Sequence, residues 1–282
     1  MSRREGAPTG TPGVPGPRLS VVVPMHNEAE NAATLLAEIH RALEGVTDYE
    51  VICVDDGSSD ATPEILRQCR NIYPRLRPLR HTENSGQSAA VATGVRAARS
   101  QWIATLDGDG QNDPADIPAL LARLDRAQGG DPPAMISGQR VKRRDTWLKR
   151  ASSRIANAVR GWILADHTPD IGCGLKLFRR EVFLKVPHFD HMHRFLPALF
   201  QAAGERVVSV PVGHRPRAGG RSHYGMFDRL WVGIVDILGV LWLRRRMRLT
   251  EVVDLAAPAG AGPANAGRSG QSREGARGGS DG

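Results

Sequence analysis

The chain has 282 residues, a formal net charge of +8 and only 5% aromatic residues. The positive charge favours an anionic partner such as a phosphorylated substrate or a membrane surface, whereas the few aromatic residues argue against a stacking platform for single-stranded nucleic acid. Cys53, Cys69 and Cys173 lie far apart and form no CxxC pair, which predicts reduced, buried thiols instead of a disulfide framework.

The two ends of the chain are rich in Gly, Pro, Ala, Ser and Arg. Residues 1–17 and 256–282 cannot bury enough apolar surface to offset the entropy of ordering, so both are predicted to be disordered tails. The remainder fits one large folded domain over residues 18–226, followed by a helix over residues 227–249. No apolar signal core and no uninterrupted apolar run of about 20 residues is present, which predicts a cytoplasmic protein without a membrane span.

Short apolar runs alternate with helical patterns through the first half of the chain. Asn27 is predicted to cap the first helix, with Glu30 as its capping-box partner, and Thr62 is predicted to cap the second. This alternation predicts an α/β fold with a mostly parallel, Rossmann-like sheet flanked by helices. The predicted strands cover residues 19–24, 49–55, 76–80, 102–107 and 134–137, and two weaker ones cover residues 174–178 and 206–212.

Polar and acidic clusters follow three of these strands directly. They read PMHNE from Pro24 to Glu28, DDGSSD from Asp55 to Asp60, and DGDGQ from Asp107 to Gln111. Because the carboxyl ends of parallel strands share one edge of a sheet, at least five carboxylates are expected to gather there. Such carboxylates would raise one another's pKa values unless a cation and hydrogen bonds from a ligand relieve the repulsion.

The third cluster is suited to a hard divalent cation. Asp107 and Asp109 flank Gly108, so that two carboxylates can reach one ion while the glycine lets phosphate oxygens approach. Oxygen ligands of this kind favour Mg²⁺ or Mn²⁺, and Mg²⁺ commonly keeps substrate phosphates in its shell. A single DxD can also be an ordinary acidic turn, so this interpretation depends on the other clusters.

Taken together and in order, these motifs resemble those of the family 2 glycosyltransferases, and among them the polyprenyl-phosphate sugar synthases. The resemblance covers about residues 19–249. It rests on Val22-Val-Pro24 with Asn27-Glu28, Val54-Asp-Asp-Gly-Ser58 with Asp60, Asn84-Ser-Gly86 with Ala90 and Gly94, and Leu106-Asp-Gly-Asp109 with Gln111 and Asp113-Pro114. The resemblance implies a GT-A-type fold and a metal-dependent, inverting transfer of a sugar from a GDP-mannose or UDP-sugar donor to a polyprenyl-phosphate lipid.

The resemblance also assigns expected roles to individual residues. Asp107, Asp109 and Gln111 are expected to hold the metal and to carry catalysis together with Asp170 and Lys176. Gln87 stands where the family often has a basic residue, and Asp56 is expected to shape the turn after the second strand. The donor nucleotide is expected to contact Pro24, Asn27, Glu28, Asp55, Asp56, Gly86, Gln87, Asp107 and Gly108.

Basic residues in the second half are expected to meet phosphate. Alone, each could belong to a solvated basic face, but as a group they could bind the acceptor phosphate. Asp170 could act as a base toward a hydroxyl acceptor, although a structural or metal-side role is preferred. His188, His191 and His193 have a spacing that suits no standard zinc site. The expected acceptor-phosphate residues are Arg140, Arg143, Lys176, Arg217, Arg221 and Ser222.

The segment over residues 227–249 has the pattern of an amphipathic helix. Trp231, Leu238 and Trp242 recur at helical spacing, and Arg244-Arg-Arg246 ends the pattern. This arrangement suits peripheral attachment to the inner face of the plasma membrane, while packing against the domain is the alternative.

Three other functions were weighed against lipid glycosylation. A family 2 glycosyltransferase acting on a sugar hydroxyl in cell-envelope glycan synthesis would need a base such as Asp170. A dinucleotide-dependent oxidoreductase would need GxGxxG after the first strand, where this chain has Pro24-Met-His-Asn. A non-enzymatic nucleotide-sensing module would tolerate loss of Asp109. Nucleic-acid binding is not expected, because the basic residues flank a carboxylate cluster.

Overall fold

The computed structural model describes residues 16–127, 130, 132–141, 168–215 and 226–247, with the side chains of 226–234 outside that description. Both predicted tails, apart from residues 16 and 17, lie outside the described residues. Within them the chain forms one mixed, mostly parallel sheet with helices on both faces, as the α/β prediction requires.

Seven strands form the sheet in the order β3-β2-β1-β4-β6-β5-β7. β1, β2, β3 and β4 are parallel to one another, and β5 is parallel to β7. β6 is inserted between β4 and β5 and runs antiparallel to both. The strands are β1 (Leu19–Met25), β2 (Tyr49–Asp56), β3 (Leu76–His81), β4 (Trp102–Thr105), β5 (Met135–Arg140), β6 (Lys176–Arg179) and β7 (Val207–Val212).

The helices fall close to the predicted positions in the first half. Two short 3-10 turns, Pro114–Asp116 and Met192–Arg194, complete the described elements. The helices are α1 (Ala29–Leu43), α2 (Thr62–Ile72), α3 (Gln87–Ala97), α4 (Ile117–Asp125), α5 (Arg180–Lys185), α6 (Leu196–Ala202) and α7 (Met226–Arg246).

Each face of the sheet carries its own core, because alternate residues of a strand point to opposite faces. Val21 and Val23 of β1 pack with α1, α2 and α4, whereas Val22 packs on the other face with α3, α5, α6 and α7. Gly94 permits close packing here, since a Cβ atom at this residue would lie 2.4 Å from Val22 Cγ1. Helix α3 therefore approaches β1 closely at this position.

The predicted capping box at the start of α1 is wrong. Asn27 has a positive φ of 54°, and its Oδ1 accepts hydrogen bonds from the backbone N–H groups of Ser59 and Asp60. The first turn of α1 is instead capped by a residue of the loop after β2, since the Ala29 N–H donates to Asp60 Oδ2 at 3.1 Å. The side chain predicted as a local cap thus connects the loops that follow β1 and β2. Thr62, predicted to precede α2, is its first residue, and its N–H donates to Asp60 Oδ1.

The final helix α7 lies against the second core with one side only. Val240 is fully buried, and Ile237 and Leu241 pack beside it, whereas Leu238 and Trp242 are about 60% exposed. No helix among the described residues combines the length and the hydropathy that crossing a bilayer would require.

Candidate active site

The loops after β1 and β2 are joined by hydrogen bonds at the carboxyl edge of the sheet. The Asn27 N–H donates to Ser58 Oγ at 2.9 Å, and the Glu28 N–H donates to Thr62 Oγ1 at 2.9 Å. Residues about 30 positions apart in sequence therefore form one rigid wall, which places Pro24, Asn27 and Glu28 beside the β2 loop.

Asp55 is neutralised within the protein. Its Oδ1 accepts from the Ser58 N–H at 3.1 Å, and its Oδ2 lies 3.2 Å from Arg80 Nε. The residue is 1% exposed, and Arg80 also donates to the Ser58 carbonyl oxygen. Asp55 therefore has its own cation and does not add an uncompensated charge to the edge of the sheet.

Asp56 organises the loop that leads into α3. Its Oδ1 accepts from the Ser85 N–H at 2.9 Å and its Oδ2 from the Gly86 N–H at 2.8 Å. His81 Nδ1 lies 2.7 Å from the same Oδ1, and because a carboxylate can only accept, this nitrogen carries the proton. The carboxylate thereby fixes the backbone that positions Gln87.

The loop after β4 carries Asp107 and Asp109 on the same edge. Gln87 Nε2 donates to Asp107 Oδ1 at 2.8 Å, and the Gln111 N–H donates to Asp109 Oδ1 at 3.1 Å. Burial of the Asp107 carboxyl raises its pKa, and the nearby Asp109 raises it further. This is the pair of mutually repelling carboxylates that the sequence pattern predicted.

Asn112, from the same loop, and Gly174, distant in sequence, enclose Asp107. Asn112 Oδ1 accepts from the Asp107 N–H at 3.2 Å, and a Cβ atom at Gly174 would lie 2.2 Å from Asp107 Oδ2. Thr105 Oγ1 donates to the Gly174 carbonyl oxygen at 2.8 Å, which fixes this close approach. Only glycine at residue 174 leaves room for the Asp107 carboxylate.

Lys176 lies inside the protein below this loop. It is 4% exposed, and its ammonium group donates to the Cys173 carbonyl oxygen. Burial lowers its pKa, and the charges of Asp107 and Asp170 act in the opposite direction. Lys176 is therefore a buried counter-charge for Asp107, and its expected contact with an acceptor phosphate stays a prediction.

Arg140 and Asp170 form a bidentate ion pair. Arg140 Nε donates to Asp170 Oδ2 and Arg140 Nη2 donates to Asp170 Oδ1, each at 2.7 Å. Both side chains are nearly buried. The hydrogen bonds to Asp170 raise the pKa of Arg140. The charge of Arg140 is therefore compensated by Asp170, and the charge of Asp170 by Arg140.

The donor set at Asp107 and Asp109 fits a hard cation held jointly with a phosphorylated ligand. Among the residues that the structure describes, no three His, Cys, Asp or Glu side chains converge on one point. Asp55 and Asp56 are bound by Arg80, by His81 and by backbone N–H groups, which leaves Asp107 and Asp109 as the candidate ligands of an ion. Two carboxylates would leave further ligand positions for phosphate oxygens and water, as Mg²⁺ prefers.

The structure brings most of the predicted site residues together but not all of them. One wall of the site is formed by the β2 loop together with Asn27 and Glu28. The start of α3 lies beside this wall and carries Gly86 and Gln87. The loop after β4 contributes Asp107 to Gln111. A Cβ atom at Gly108 would lie 2.8 Å from the Pro24 carbonyl oxygen, so these two loops touch. Four predicted acceptor residues, Arg143, Arg217, Arg221 and Ser222, lie outside the described residues.

The hydrogen-bond partners of two histidines near the site could not be predicted from the sequence. His26 Nδ1 donates to the Asp56 carbonyl oxygen at 2.8 Å, and Ser88 Oγ lies 2.8 Å from His193 Nδ1. Burial lowers the pKa of His193 to about 3. The partners of these side chains are distant in the chain, so no local motif could have identified them.

Comparison with known protein families gives one consistent result. The sequence model described as Glycosyl transferase family 2 matches residues 20–186. A dodecaprenyl-phosphate galacturonate synthase from Rhizobium johnstonii is 36% identical over 235 residues, covering 80% of this chain and 67% of the relative. An undecaprenyl-phosphate 4-deoxy-4-formamido-L-arabinose transferase from Edwardsiella ictaluri is 33% identical, covering 84% of this chain and 73% of the relative.

Solved structures share the fold. The mannosyltransferase PcManGT from Pyrobaculum calidifontis, in complex with GDP-Man and Mn²⁺, superposes with a TM-score of 0.57 at 23% identity, covering 84% of this chain and 66% of that chain. The glucosyl-3-phosphoglycerate synthase from Mycobacterium tuberculosis, in complex with Mg²⁺ and UDP, gives 0.58 at 17% identity, covering 83% and 82%. The GT-A-type architecture that the resemblance implied is thus confirmed, as is the mostly parallel sheet that the strand pattern predicted. With its family match over more than half of the sequence, the chain belongs to glycosyl transferase family 2 and is a glycosyltransferase.

Proposed function

We propose that this glycosyltransferase moves a sugar from a nucleoside-diphosphate donor to the phosphate of a polyprenyl-phosphate lipid, with Mg²⁺ or Mn²⁺, at the cytoplasmic face of the membrane. The observation that carries the proposal is the pair of carboxylates in the Asp107–Asp109 loop on the carboxyl edge of the sheet, beside Gln87 and Gly174. Relatives named as polyprenyl-phosphate sugar synthases and transferases support this choice of acceptor.

The donor would lie across the carboxyl ends of β1, β2 and β4. Pro24, Asn27, Glu28, Asp55 and Asp56 would line its nucleotide, with Gly86 at the start of α3. Gly108 would let the diphosphate approach the backbone, because it has no side chain where the β4 loop meets Pro24; a Cβ atom there would lie 2.8 Å from the Pro24 carbonyl oxygen. Ligands of parallel α/β sheets bind at this edge, which agrees with the placement.

Asp107 and Asp109 would hold the divalent cation, with Gln111 beside them. When bound, the cation offsets the negative charge that develops on the departing nucleoside diphosphate. Gln87 orients one oxygen of Asp107, and the absence of a side chain at Gly174 leaves its other oxygen room. Lys176 would balance part of the buried charge, because its positive charge opposes the rise that burial causes in the pKa of Asp107.

A phosphate acceptor fits the surroundings of Asp170 better than a hydroxyl acceptor does. A monoester phosphate has a second pKa of about 6, so near neutral pH it attacks without a general base. Transfer to a sugar hydroxyl would need a base, yet both Asp170 oxygens accept hydrogen bonds from Arg140. A single displacement by phosphate would invert the anomeric centre, with Arg143, Arg217, Arg221 and Ser222 proposed to bind the acceptor phosphate.

Helix α7 would place the enzyme on the lipid surface. Its outward side presents Val235, Leu238 and Trp242, which are 52%, 61% and 60% exposed. Arg244, Arg245 and Arg246 follow at its end, where each arginine near anionic lipid contributes about 1 kcal/mol. An apolar side flanked by cations is the pattern of a helix that lies in the membrane interface, which supports peripheral attachment.

The test is a transfer assay with the full chain on lipid vesicles. A panel of UDP- and GDP-sugars is offered with Mn²⁺ and either undecaprenyl phosphate or a soluble sugar acceptor. We expect a chelator-sensitive glycolipid with inverted anomeric configuration, formed only with the phosphorylated lipid. Product formed on the sugar hydroxyl alone would replace the proposal with the alternative acceptor, and turnover insensitive to chelator would reject the metal.

A further inference from the structure

Asp236 is the one acidic residue in the middle of the apolar pattern of α7, and its structural partner is in the loop before α6. Its Oδ2 lies 3.1 Å from Nδ1 of His191, which must be the donor because a carboxylate only accepts. A charge in an apolar segment is costly without a partner, so this bond accounts for the presence of Asp236 on a helix that otherwise packs through aliphatic side chains.

His191 belongs to a short loop, residues 188–194, that also contacts the beginning of α3. Ser88 Oγ accepts from the His193 N–H at 3.3 Å and lies 2.8 Å from its Nδ1. A Cβ atom at Gly86 would lie 3.4 Å from Asp190 Oδ1. The loop therefore touches the residues on both sides of Gln87, whose amide binds the metal-site carboxylate of Asp107.

The loop over residues 188–194 is packed tightly enough that a displacement of α7 can move the beginning of α3. Met192 is 1% exposed and packs in the core that also contains Val91 of α3 and Val240 of α7. His191 adopts a left-handed backbone conformation with φ of 61°, which turns its side chain toward α7 at a conformational cost. Packed cores shift between discrete arrangements and do not deform continuously, so a change in α7 can reach α3 through these contacts.

We propose that Asp236 and His191 are positioning residues of the donor site, which link the orientation of lipid-bound α7 to the placement of Gln87 against Asp107. The inference rests on the proposed function and adds a reason why the enzyme should bind its donor better on a membrane. Neither residue touches the donor; both act through the loop and the first turn of α3.

The experiment measures the affinity of the full chain for UDP and for GDP with Mn²⁺ by calorimetry, with and without phosphatidylglycerol vesicles. Asp236→Ala removes the hydrogen-bond acceptor, Asp236→Asn keeps one, and His191→Asn shortens the donor while retaining a residue that tolerates positive φ. Asp125→Ala is the matched control, because its ion pair with Arg18 involves α4 and the start of β1, away from α7.

In the unaltered chain, vesicles are expected to raise nucleotide affinity about fivefold, the lower end of ordinary coupling between sites. Asp236→Ala and His191→Asn should bind vesicles normally yet lose this increase, while Asp236→Asn and Asp125→Ala should retain it. The combined Asp236→Ala and His191→Asn change should be no worse than either alone, as expected for one shared contact.

An increase that survives in both Asp236→Ala and His191→Asn, or its absence from the unaltered chain, would overturn the positioning role. If Asp236→Ala does not fold, His191→Asn decides the question by itself, with circular dichroism as the check. Failure of the unaltered chain to bind either nucleotide would instead reject the proposed function, so the two failures are distinguishable.

Discussion

Two acidic loops on the same sheet edge look alike in sequence but differ in the structure. The loop after β2 begins Asp55-Asp56-Gly57, and the loop after β4 begins Asp107-Gly108-Asp109. In the first, Arg80 lies against Asp55, while two backbone N–H groups and His81 bind Asp56. In the second, Asp107 accepts a side-chain hydrogen bond from Gln87, lies near the cation Lys176, and has the like charge of Asp109 beside it.

In the described residues the β2 loop binds its carboxylates with backbone N–H groups and basic side chains, whereas the β4 loop holds two carboxylates close together, and we therefore propose the β4 loop as the metal site. A carboxylate that already accepts several hydrogen bonds is part of the scaffold, whereas carboxylates left close together favour a cation. We therefore expect changes in the β2 loop to reduce stability, and equivalent changes in the β4 loop to reduce catalysis.

The largest difference is expected between Asp109→Asn and Asp56→Asn. Asp109→Asn should lower sugar transfer by at least about 100-fold, because it removes a proposed ligand of a cation that stabilises the leaving group by several kcal/mol. Its melting temperature should stay close to that of the unaltered chain. Asp56→Asn should lower the free energy of unfolding by about 2 kcal/mol, since a neutral amide cannot accept both backbone hydrogen bonds equally well. Reversal of these two outcomes in transfer and denaturation assays would refute the comparison.

A matched pair of glycines sharpens the same comparison. Gly174→Ala would place a Cβ atom 2.2 Å from Asp107 Oδ2, and displacement of that carboxylate by about 1 Å should cost about 100-fold in transfer rate. Gly57 has φ of 65°, and a Cβ atom there would lie 2.6 Å from the Asn84 nitrogen. Gly57→Ala should therefore act mainly on stability. Steady-state kinetics and urea denaturation of both variants provide the measurement; equal activity losses in properly folded proteins would contradict it.

Asp170, which lies outside the two loops, tests whether a carboxylate that accepts several hydrogen bonds serves the scaffold and not catalysis. Because Arg140 binds both of its oxygens, Asp170 should behave like Asp56 and serve the scaffold. Asp170→Asn is expected to lower the free energy of unfolding by about 2 kcal/mol, as a charge-assisted pair becomes a weaker neutral contact. Transfer to polyprenyl phosphate should change less than about tenfold, which is about 1.4 kcal/mol of barrier. Complete loss of turnover with donor binding retained would identify Asp170 as a base and favour a hydroxyl acceptor.

The last prediction concerns the pH dependence of stability at His193, which lies near Lys176 below the second loop. Its folded-state pKa is about 3 against an ordinary 6.5, so the unfolded chain binds the additional proton as the pH falls. The stability that comes from neutral His193 is fully present above about pH 6.5 and declines toward lower pH by at most about 1.4 kcal/mol per pH unit. His193→Asn should flatten the pH dependence of unfolding between about pH 6 and pH 4. His40→Asn, at a more exposed imidazole, is the control; an unchanged slope in His193→Asn would contradict the assignment.

The strands of the first half could be predicted because buried parallel strands are continuous apolar runs that end in turn residues. The helix ends were less predictable. Asn27 and Glu30 have the spacing of a capping box, yet the Asn27 oxygen binds Ser59 and Asp60, and Asp60 serves α1 in return. The local spacing indicated that Asn27 binds backbone N–H groups. It did not indicate that these groups belong to the loop after β2 and not to the first turn of α1.

The amino-acid sequence by itself determined the α/β class, the family motifs and the two aspartates of the proposed metal site, since each depends on residue type and short-range order. Only the tertiary structure decided that β6 enters the sheet antiparallel, that Gly174 makes room for Asp107, and that Lys176 and Arg140 face inward toward carboxylates. These features pair residues that are distant along the chain, and such pairs form only when packing of the whole sheet brings them within hydrogen-bonding distance.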